Sequence, residues 1–351
     1  MEPISPAILD AAISRGLDYL QQHQYPNGEF CVYCAADAPM LGWTLPDSAI
    51  FPTALIAGSL LHLADDPRAD AMLALSTDFF QYQMAHGGLW NHFTLLHRWR
   101  YLCPLDVDDT CCISAVLRAR GLGWPPPGNE PLLLANRTRQ GLFYSWFLLR
   151  PRWNANRTYW RVTLPELLRP LQSIKFWYGV EANRNDVDGV VNANALYYLG
   201  ERPETQPIID FLLRIIAEGR EADCDLWYRD APIVYYFFAR TYPLCPTRLE
   251  PLRQPIIDRI CAAAKPDGRL GETVVDTALS VCALLSLQAA PPELAGAVAF
   301  LLQTQERPGH WPRWLVYYGG PKKRMGWGSE EITTAFCLEA LARYRAAQAG
   351  G

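Results

Sequence analysis

Asp106, Asp108 and Asp109 set three carboxylates within four positions of the stretch Pro104-Leu105-Asp106-Val107-Asp108-Asp109-Thr110. The apolar run Cys111-Cys112-Ile113-Ser114-Ala115-Val116-Leu117 follows directly and predicts a largely buried helix, so the carboxylates stand at its start. Negative charge there is costly unless one group keeps its proton or the charges do chemistry. The chemistry on offer is general-acid. Repulsion and desolvation raise a carboxyl pKa, whereas the helix N-terminus favours the anion, so the first two effects must prevail for a proton to remain; the dipole then steadies the conjugate base. At three-residue spacing Asp106 and Asp109 share a helix face, and geometry pairs those two. A plainer structural role is available to the same residues, with Asp106 as an N-cap and the other two merely matched to the helix dipole.

A second polar concentration, Asn183-Arg184-Asn185-Asp186-Val187-Asp188-Gly189-Val190-Val191-Asn192-Ala193-Asn194, opens another apolar helix. An Asn or Asp there either orients the acid and holds substrate hydroxyls, or caps the helix and bonds to its neighbours. Asp65-Asp66-Pro67 reads as a surface turn because the proline breaks any helix through it. Glu330-Glu331 reads as the cap of the last helix. The six His form no i, i+4 pair on an apolar helix, and Cys31-Val32-Tyr33-Cys34 has no second pair, so neither a metal site nor a cofactor is expected.

The elements that must position these groups alternate. Amphipathic segments fall near 6–24, 69–84, 129–137, 206–218, 251–264 and 292–305. Nearly all-apolar ones fall near 48–63, 107–120, 187–199, 230–241, 273–288 and 330–346. A helical hairpin repeated six times closes into a double ring with the apolar helices inside. The expected architecture is therefore all-α: a single α/α barrel domain over 1–351, of about six hairpins in two concentric rings. A short irregular or β insertion is expected near 138–180, from Gly141–Phe147 and Asn156–Val162, and long insertions of this kind tend to be functional.

Composition narrows the function classes. Half of the 351 residues are hydrophobic, the formal net charge is −4, and the short cluster Lys322-Lys323-Arg324 is no basic stripe, so a nucleic-acid partner is excluded. No stretch reaches the roughly 20 apolar residues of a membrane span. A peripheral membrane contact that delivers a greasy substrate stays open. Ten Cys behind an amphipathic first helix point to a reducing cytoplasm. The 12 Trp, 17 Tyr and 13 Phe are heavy, and many fall at helix ends, where rings can line a pocket.

A repeated motif marks the helix ends. Arg15 to Gln24 followed by Asn27-Gly28-Glu29-Phe30 has a counterpart in Gly296 to Gln305 followed by Gly309-His310-Trp311. Weaker copies run from Asp78 to Gln83 with Gly87-Gly88-Leu89-Trp90, and through Pro266-Asp267-Gly268-Arg269-Leu270. A Gln near the helix end can bond backbone of the next turn, the Gly allows a tight exit, and the aromatic packs back on the helix. We read them as structural staples.

Together with Asp106-Val107-Asp108-Asp109-Thr110, these repeats make most of the chain resemble the class II terpene cyclases, the squalene–hopene and oxidosqualene cyclases among them, which carry an Asp-x-Asp-Asp motif. That family usually joins two or three helical domains. At 351 residues this chain is more similar to the single-domain cyanobacterial meroterpenoid cyclases of the merosterolic acid type. The resemblance implies a hydrophobic prenylated aromatic acid as substrate, no cofactor, and a proton delivered by the middle Asp, Asp108, with Asp109 close behind and Asp106 alongside. It implies aromatic faces that shield a carbocation from water, for which Trp146, Trp153, Phe176, Trp177, Tyr178, Trp227 and Tyr236 are the expected set. Asn192 joins the site from the second polar concentration. Arg157 is expected to meet a substrate carboxylate, with Arg161, Lys322, Lys323 and Arg324 as further cations. Two alternatives remain. A prenyl diphosphate, bringing magnesium with it, is favoured if cations converge at the pocket mouth. A non-catalytic lipid-binding or scaffolding barrel requires exposed aspartate caps and a ring filled with packed side chains.

Overall fold

Helix boundaries follow the two apolar patterns within a few residues. In chain order the helices are α1 (Pro6–His23), α2 (Ile50–Leu60), α3 (Pro67–Gln83), α4 (Val107–Ala119), α5 (Glu130–Ala135), α6 (Arg157–Thr163) and α7 (Pro170–Val180). They continue with α8 (Gly189–Leu199), α9 (Gln206–Glu218), α10 (Ala231–Ala239), α11 (Pro246–Ala262), α12 (Val274–Ser286), α13 (Glu293–Thr304) and α14 (Glu330–Gly350). The computed structural model describes residues 4–122, 128–150, 157–165, 170–320, 322 and 324–350.

Helices α2, α4, α8, α10, α12 and α14 pack each on the next, and α14 packs back on α2, so their circuit closes. Helix α8 shows why. Ten of its residues are buried, leaving it no polar face to turn outward, and only an inner position satisfies such a helix. Around this circuit α1 lies against α14 and α3, α9 against α8 and α11, and α13 against α12 and α14.

The staples join neighbouring outer helices. Gln24, after α1, donates from Nε2 to the Met72 carbonyl (3.0 Å) and Ser76 Oγ (3.0 Å) of α3, and to the Gly28 carbonyl (3.1 Å). Gln305, after α13, donates likewise to the Ala12 carbonyl of α1 (2.9 Å) and to the Gly309 carbonyl (2.8 Å). Trp311 Nε1 closes the motif on the Leu301 carbonyl at 2.7 Å. Gly28 has φ 88°, and a Cβ there would stand 2.1 Å from the Leu75 carbonyl oxygen. Gly28→Ala is therefore expected to cost more than about 2 kcal/mol of stability, read as a lowered urea midpoint at unchanged slope.

Two expectations need correction. The chain is mainly helical but not all-α. Strands β1 (Val32–Ala35), β2 (Thr44–Asp47), β3 (Tyr317–Gly319) and β4 (Met325–Gly328) form an antiparallel sheet in the order β2-β1-β4-β3. Its strands have three or four residues and include Pro46, Gly326 and Gly328, so no period-2 pattern announces them. Its central pairing joins Cys34 to Trp327, from opposite ends of the chain. The stretch around Tyr159, expected as a short β segment or an ordered loop, is helix α6. Its Thr, Tyr, Trp and Val favour strand locally, but burial of Tyr159, whose hydroxyl donates to the Leu148 and Arg150 carbonyls (3.3 and 3.2 Å), overrides that preference. Gly141–Phe147, expected as a short β segment or an ordered loop, is an ordered loop with isolated bridges.

That loop helps to frame the start of α4. Asp106 N–H donates to the Trp90 carbonyl (3.1 Å), Val107 N–H to the Ser145 carbonyl (2.9 Å), Phe147 N–H to the Leu105 carbonyl (2.9 Å) and Ser145 N–H to the Asp186 carbonyl (3.0 Å). Four chain segments thus meet at the first turn of α4.

Candidate active site

The aspartates border a cavity at the N-terminal end of α4, which encloses about 680 Å³ of space, its mouth included. Its walls are largely aromatic: Phe51 of α2, Phe93, Trp146, Phe176 of α7, Trp227, Tyr228, Tyr317 of β3 and Trp327 of β4. Trp146 anchors one wall, meeting Phe176, Trp177 and Trp227 edge-on at centroid distances of 5.2, 5.8 and 5.6 Å. Tyr317 and Trp327 stack at 5.5 Å on the other.

Asp106 is the N-cap of α4, accepting the Asp109 N–H on Oδ1 at 2.7 Å. Asp109 is 2% exposed, with Oδ2 4.0 Å from His92 Nδ1 and Oδ1 met by no donor among the described residues. The Asp109 N–H bond to Asp106 holds the two acids together at the first turn of α4. Burial pushes both up, Asp106 to about 7 and Asp109 well above the usual carboxylate range, where the Asp106 charge adds to the effect. Two buried carboxyls one helical turn apart oppose each other's ionisation, which favours the protonated form of Asp109. Burial drives His92 down to about 4, so its imidazole is neutral near pH 7.

Asp108 is built differently. Only half-buried, it presents its carboxyl to the cavity. Tyr228 OH donates to Oδ2 at 2.6 Å and Asn194 Nδ2 donates to Oδ1. Asn194 Oδ1 in turn accepts from Arg240 Nη2 at 2.5 Å. Burial raises the Asp108 pKa, while the Tyr228 and Asn194 donors and the Arg240 charge oppose the rise. Burial thus favours the neutral carboxyl, while donors on both oxygens stand ready to hold the anion.

Linkage gives the Asp106–Asp109 pair a visible signature. A group whose folded pKa is raised binds its proton more tightly folded than unfolded, so its stabilising effect is present below about pH 4 and is lost as pH rises through the folded value. Asp109→Asn removes that loss. The variant is expected to melt above the unsubstituted protein at pH 8 and to converge with it toward pH 4, in paired scans of melting temperature against pH.

Of the residues expected at the site, Asp106, Asp108, Asp109, Trp146, Phe176 and Trp227 line the cavity, and Trp177 packs behind Trp146 and Phe176 without reaching it. Four others do not come to it either. Tyr178 is 84% exposed, because two residues after Phe176 the helix has turned to its opposite face. Asn192 is fully buried but ties the Phe143 backbone to the Asp188 carbonyl; its neighbour one half-turn on, Asn194, is the one that reaches Asp108. Tyr236 donates to Glu339 at 3.0 Å and borders a different cavity. Arg157, like Arg161, stands exposed on α6 outside the lining, and Lys322 and Arg324 are exposed as well. Trp153 and Lys323 lie outside the described residues. Sequence reasoning missed His92, Phe93, Tyr228 and Tyr317. The first two follow Gly88-Leu89-Trp90, whose staple exit points the chain to the cavity, and Tyr317 rides on the sheet that periodicity did not show.

No protein-family model and no curated protein matches the chain. Solved structures do. A variant of type II terpene cyclase MstE from Scytonema, in complex with its substrate geranylgeranyl dihydroxybenzoate, superposes with a TM-score of 0.67 at 16% identity, covering 97% of this chain and 98% of that one. The chain shares the MstE fold. A second MstE variant, in complex with the product merosterolic acid A, gives a TM-score of 0.66 at 14% identity over 97% of this chain and 98% of that one. A crystal structure of a protein from Actinoplanes gives 0.64 at 17% identity over 95% and 99%. MstE and this chain therefore share the fold over 97% and 98% of the two chains compared.

Proposed function

We propose that this chain is a class II, protonation-initiated terpene cyclase, a single α/α barrel of six helical hairpins that converts a linear prenylated aromatic acid into a polycyclic meroterpenoid. The substrate is farnesyl- or geranylgeranyl-dihydroxybenzoate-like, the class named for MstE. One observation carries the reading: Asp108 opens onto a cavity walled by aromatic rings, with Tyr228 and Asn194 on its two oxygens.

In this reading the Asp108 O–H bond breaks and its proton forms a new C–H bond at the terminal alkene. The tertiary cation so formed is attacked by the next alkene of the folded chain, one C–C bond per ring. The faces of Trp146, Trp227, Phe176 and Trp327 steady the moving charge and exclude water. Attack by the arene followed by proton loss, or direct proton loss, ends the cascade, so one proton enters, one leaves and the product is an isomer. An alkene is a poor base, which calls for a strong acid. Asp108, whose anion is already provided with two donors, answers that need better than Asp109, whose proton is held against the Asp106 charge.

The exposed-cap requirement of a scaffolding barrel is not met, since Asp106 and Asp109 are 7% and 2% exposed. Cyclisation of a plain prenyl diphosphate is disfavoured because the described cavity lining includes no Lys or Arg. Among the described residues no helix is long and apolar enough to cross a membrane. Exposed Ile174 and Tyr178 on α7, the helix that supplies Phe176 to the lining, suit a peripheral contact through which a greasy substrate is collected.

The test is incubation with farnesyl- and geranylgeranyl-dihydroxybenzoate in D2O buffer containing EDTA. We expect a product heavier than the substrate only by exchanged deuterium, with one new C–D bond at the former alkene terminus. Unchanged substrate with both compounds, while a prenyl diphosphate is turned over, would sink the reading.

A further inference from the structure

The inner circuit holds a second cavity, bordered by the later turns of the inner helices whereas the aspartates lie at the first turn of α4. It encloses about 860 Å³, its opening included. Gly58, in the interior of α2, faces it, and a Cβ added there would meet nothing within 4 Å. A glycine in a helix interior costs about 1 kcal/mol relative to alanine, so the empty space is kept at some expense to α2.

Arg240 provides the cavity with charge. Its guanidinium lies 4.3 Å from the Tyr197 ring centroid and 4.6 Å from that of Phe237. Among the described residues it hydrogen-bonds only through Nη2, to Asn194 Oδ1 (2.5 Å) and Cys112 Sγ (3.5 Å), its Nε is buried without a partner, and it makes no ion pair. The carboxylate of the cavity is already matched. Glu339 receives Arg343 Nη1 at 2.9 Å, the Ser59 hydroxyl at 2.9 Å and the Tyr236 hydroxyl at 3.0 Å, with His62 Nε2 at 3.5 Å. Arg343 spends its remaining fork on Ser286 Oγ at 2.8 Å. Among the described lining residues the cavity therefore carries one guanidinium in excess, held against two rings with donors to spare. Such a fork suits the planar or tetrahedral oxygens of an oxyanion.

We infer that this second cavity binds a small oxyanion, a carboxylate or a phosphate, on Arg240. The site does not depend on the chemistry assigned to the aspartates. It is nevertheless wired to them, because Asn194 joins Arg240 to Asp108 and an anion on Arg240 draws on the charge that steadies the Asp108 anion. Occupancy then makes Asp108 a weaker acid, and the coupling is reciprocal.

Thermal melting of the full chain with sodium phosphate or sodium acetate, at an ionic strength fixed with sodium chloride, tests the site. A saturable rise in melting temperature is expected, about 2 °C at tenfold the dissociation constant. A rise with phosphate alone identifies a phosphate site, and one with acetate alone a carboxylate site. Gly58→Leu fills the space without touching Arg240 and should abolish the rise while melting no lower than the parent. Arg240→Gln, which keeps the volume and loses the charge, should abolish it as well. Absence of a saturable rise with either anion, or an equal rise in both variants, would overturn the inference.

Discussion

Asp108→Asn is expected to lower kcat with a prenylated dihydroxybenzoate by more than about 1,000-fold while KM moves less than about threefold. Asn occupies the same space, and its carbonyl oxygen still accepts from Tyr228 or Asn194, so the cavity wall stays in place. What it lacks is the proton. Asp106 and Asp109 also border the cavity but are more deeply buried than Asp108 and, among the described residues, lack its pair of side-chain donors, so neither is expected to take over the role. Asp109→Asn leaves Asp108 and both of its donors untouched, so its loss should be smaller, about 10- to 100-fold, and accompanied by the stability gain at pH 8 described above. Equal activity of Asp108→Asn and the parent would remove Asp108 from the mechanism, and a larger loss at Asp109 than at Asp108 would exchange the two roles. Pre-steady-state turnover, read alongside substrate binding by fluorescence quenching of the cavity tryptophans, separates the chemical step from affinity.

Tyr228→Phe takes one donor from the Asp108 anion and leaves the ring in the wall. A hydrogen bond to a charged group contributes about 1.5–3 kcal/mol, so kcat should fall about 10- to 150-fold. The pH profile gives the sign. Asp108 must be protonated to act, so activity is present below its pKa, which burial raises, and is lost as pH rises through it. Without Tyr228 the anion is less stable and the pKa rises further, which moves the alkaline limb of kcat upward even as the plateau drops. A lowered plateau with an unmoved limb would mean that Tyr228 only packs. Asn194→Leu should shift the limb the same way by removing the other donor and with it the link to Arg240.

The expected pattern of helices was legible because each inner and outer segment carries its own period. Apolar residues on every face of α8 leave it nowhere to go but inside, and the polar side of α9 leaves it nowhere but outside. The Gln and Gly of the staples were legible for a similar reason, since each Gln bonds the Gly carbonyl four residues on, whereas the bonds from Gln24 to α3 and from Gln305 to α1 carry no local signal. The cap role of Asp106 was also written locally, three residues ahead of the N–H that it accepts.

Local pattern, then, carries the alternation of helices, the staples and the three acids at the head of α4. The closed ring adds what local pattern does not carry, side-chain donors on both oxygens of Asp108. Asn194 lies 86 residues from Asp108 and Tyr228 lies 120 away, and neither spacing carries a periodic signal. It also decided which aromatic rings face the cavity: Trp327 arrives through a strand pairing between the two ends of the chain, and Tyr178 turns outward although Phe176, two residues earlier, turns in. The physical reason is range. Periodicity and capping act over one helical turn, whereas burial, hydrogen bonding and the resulting pKa depend on neighbours that only the closed ring brings together.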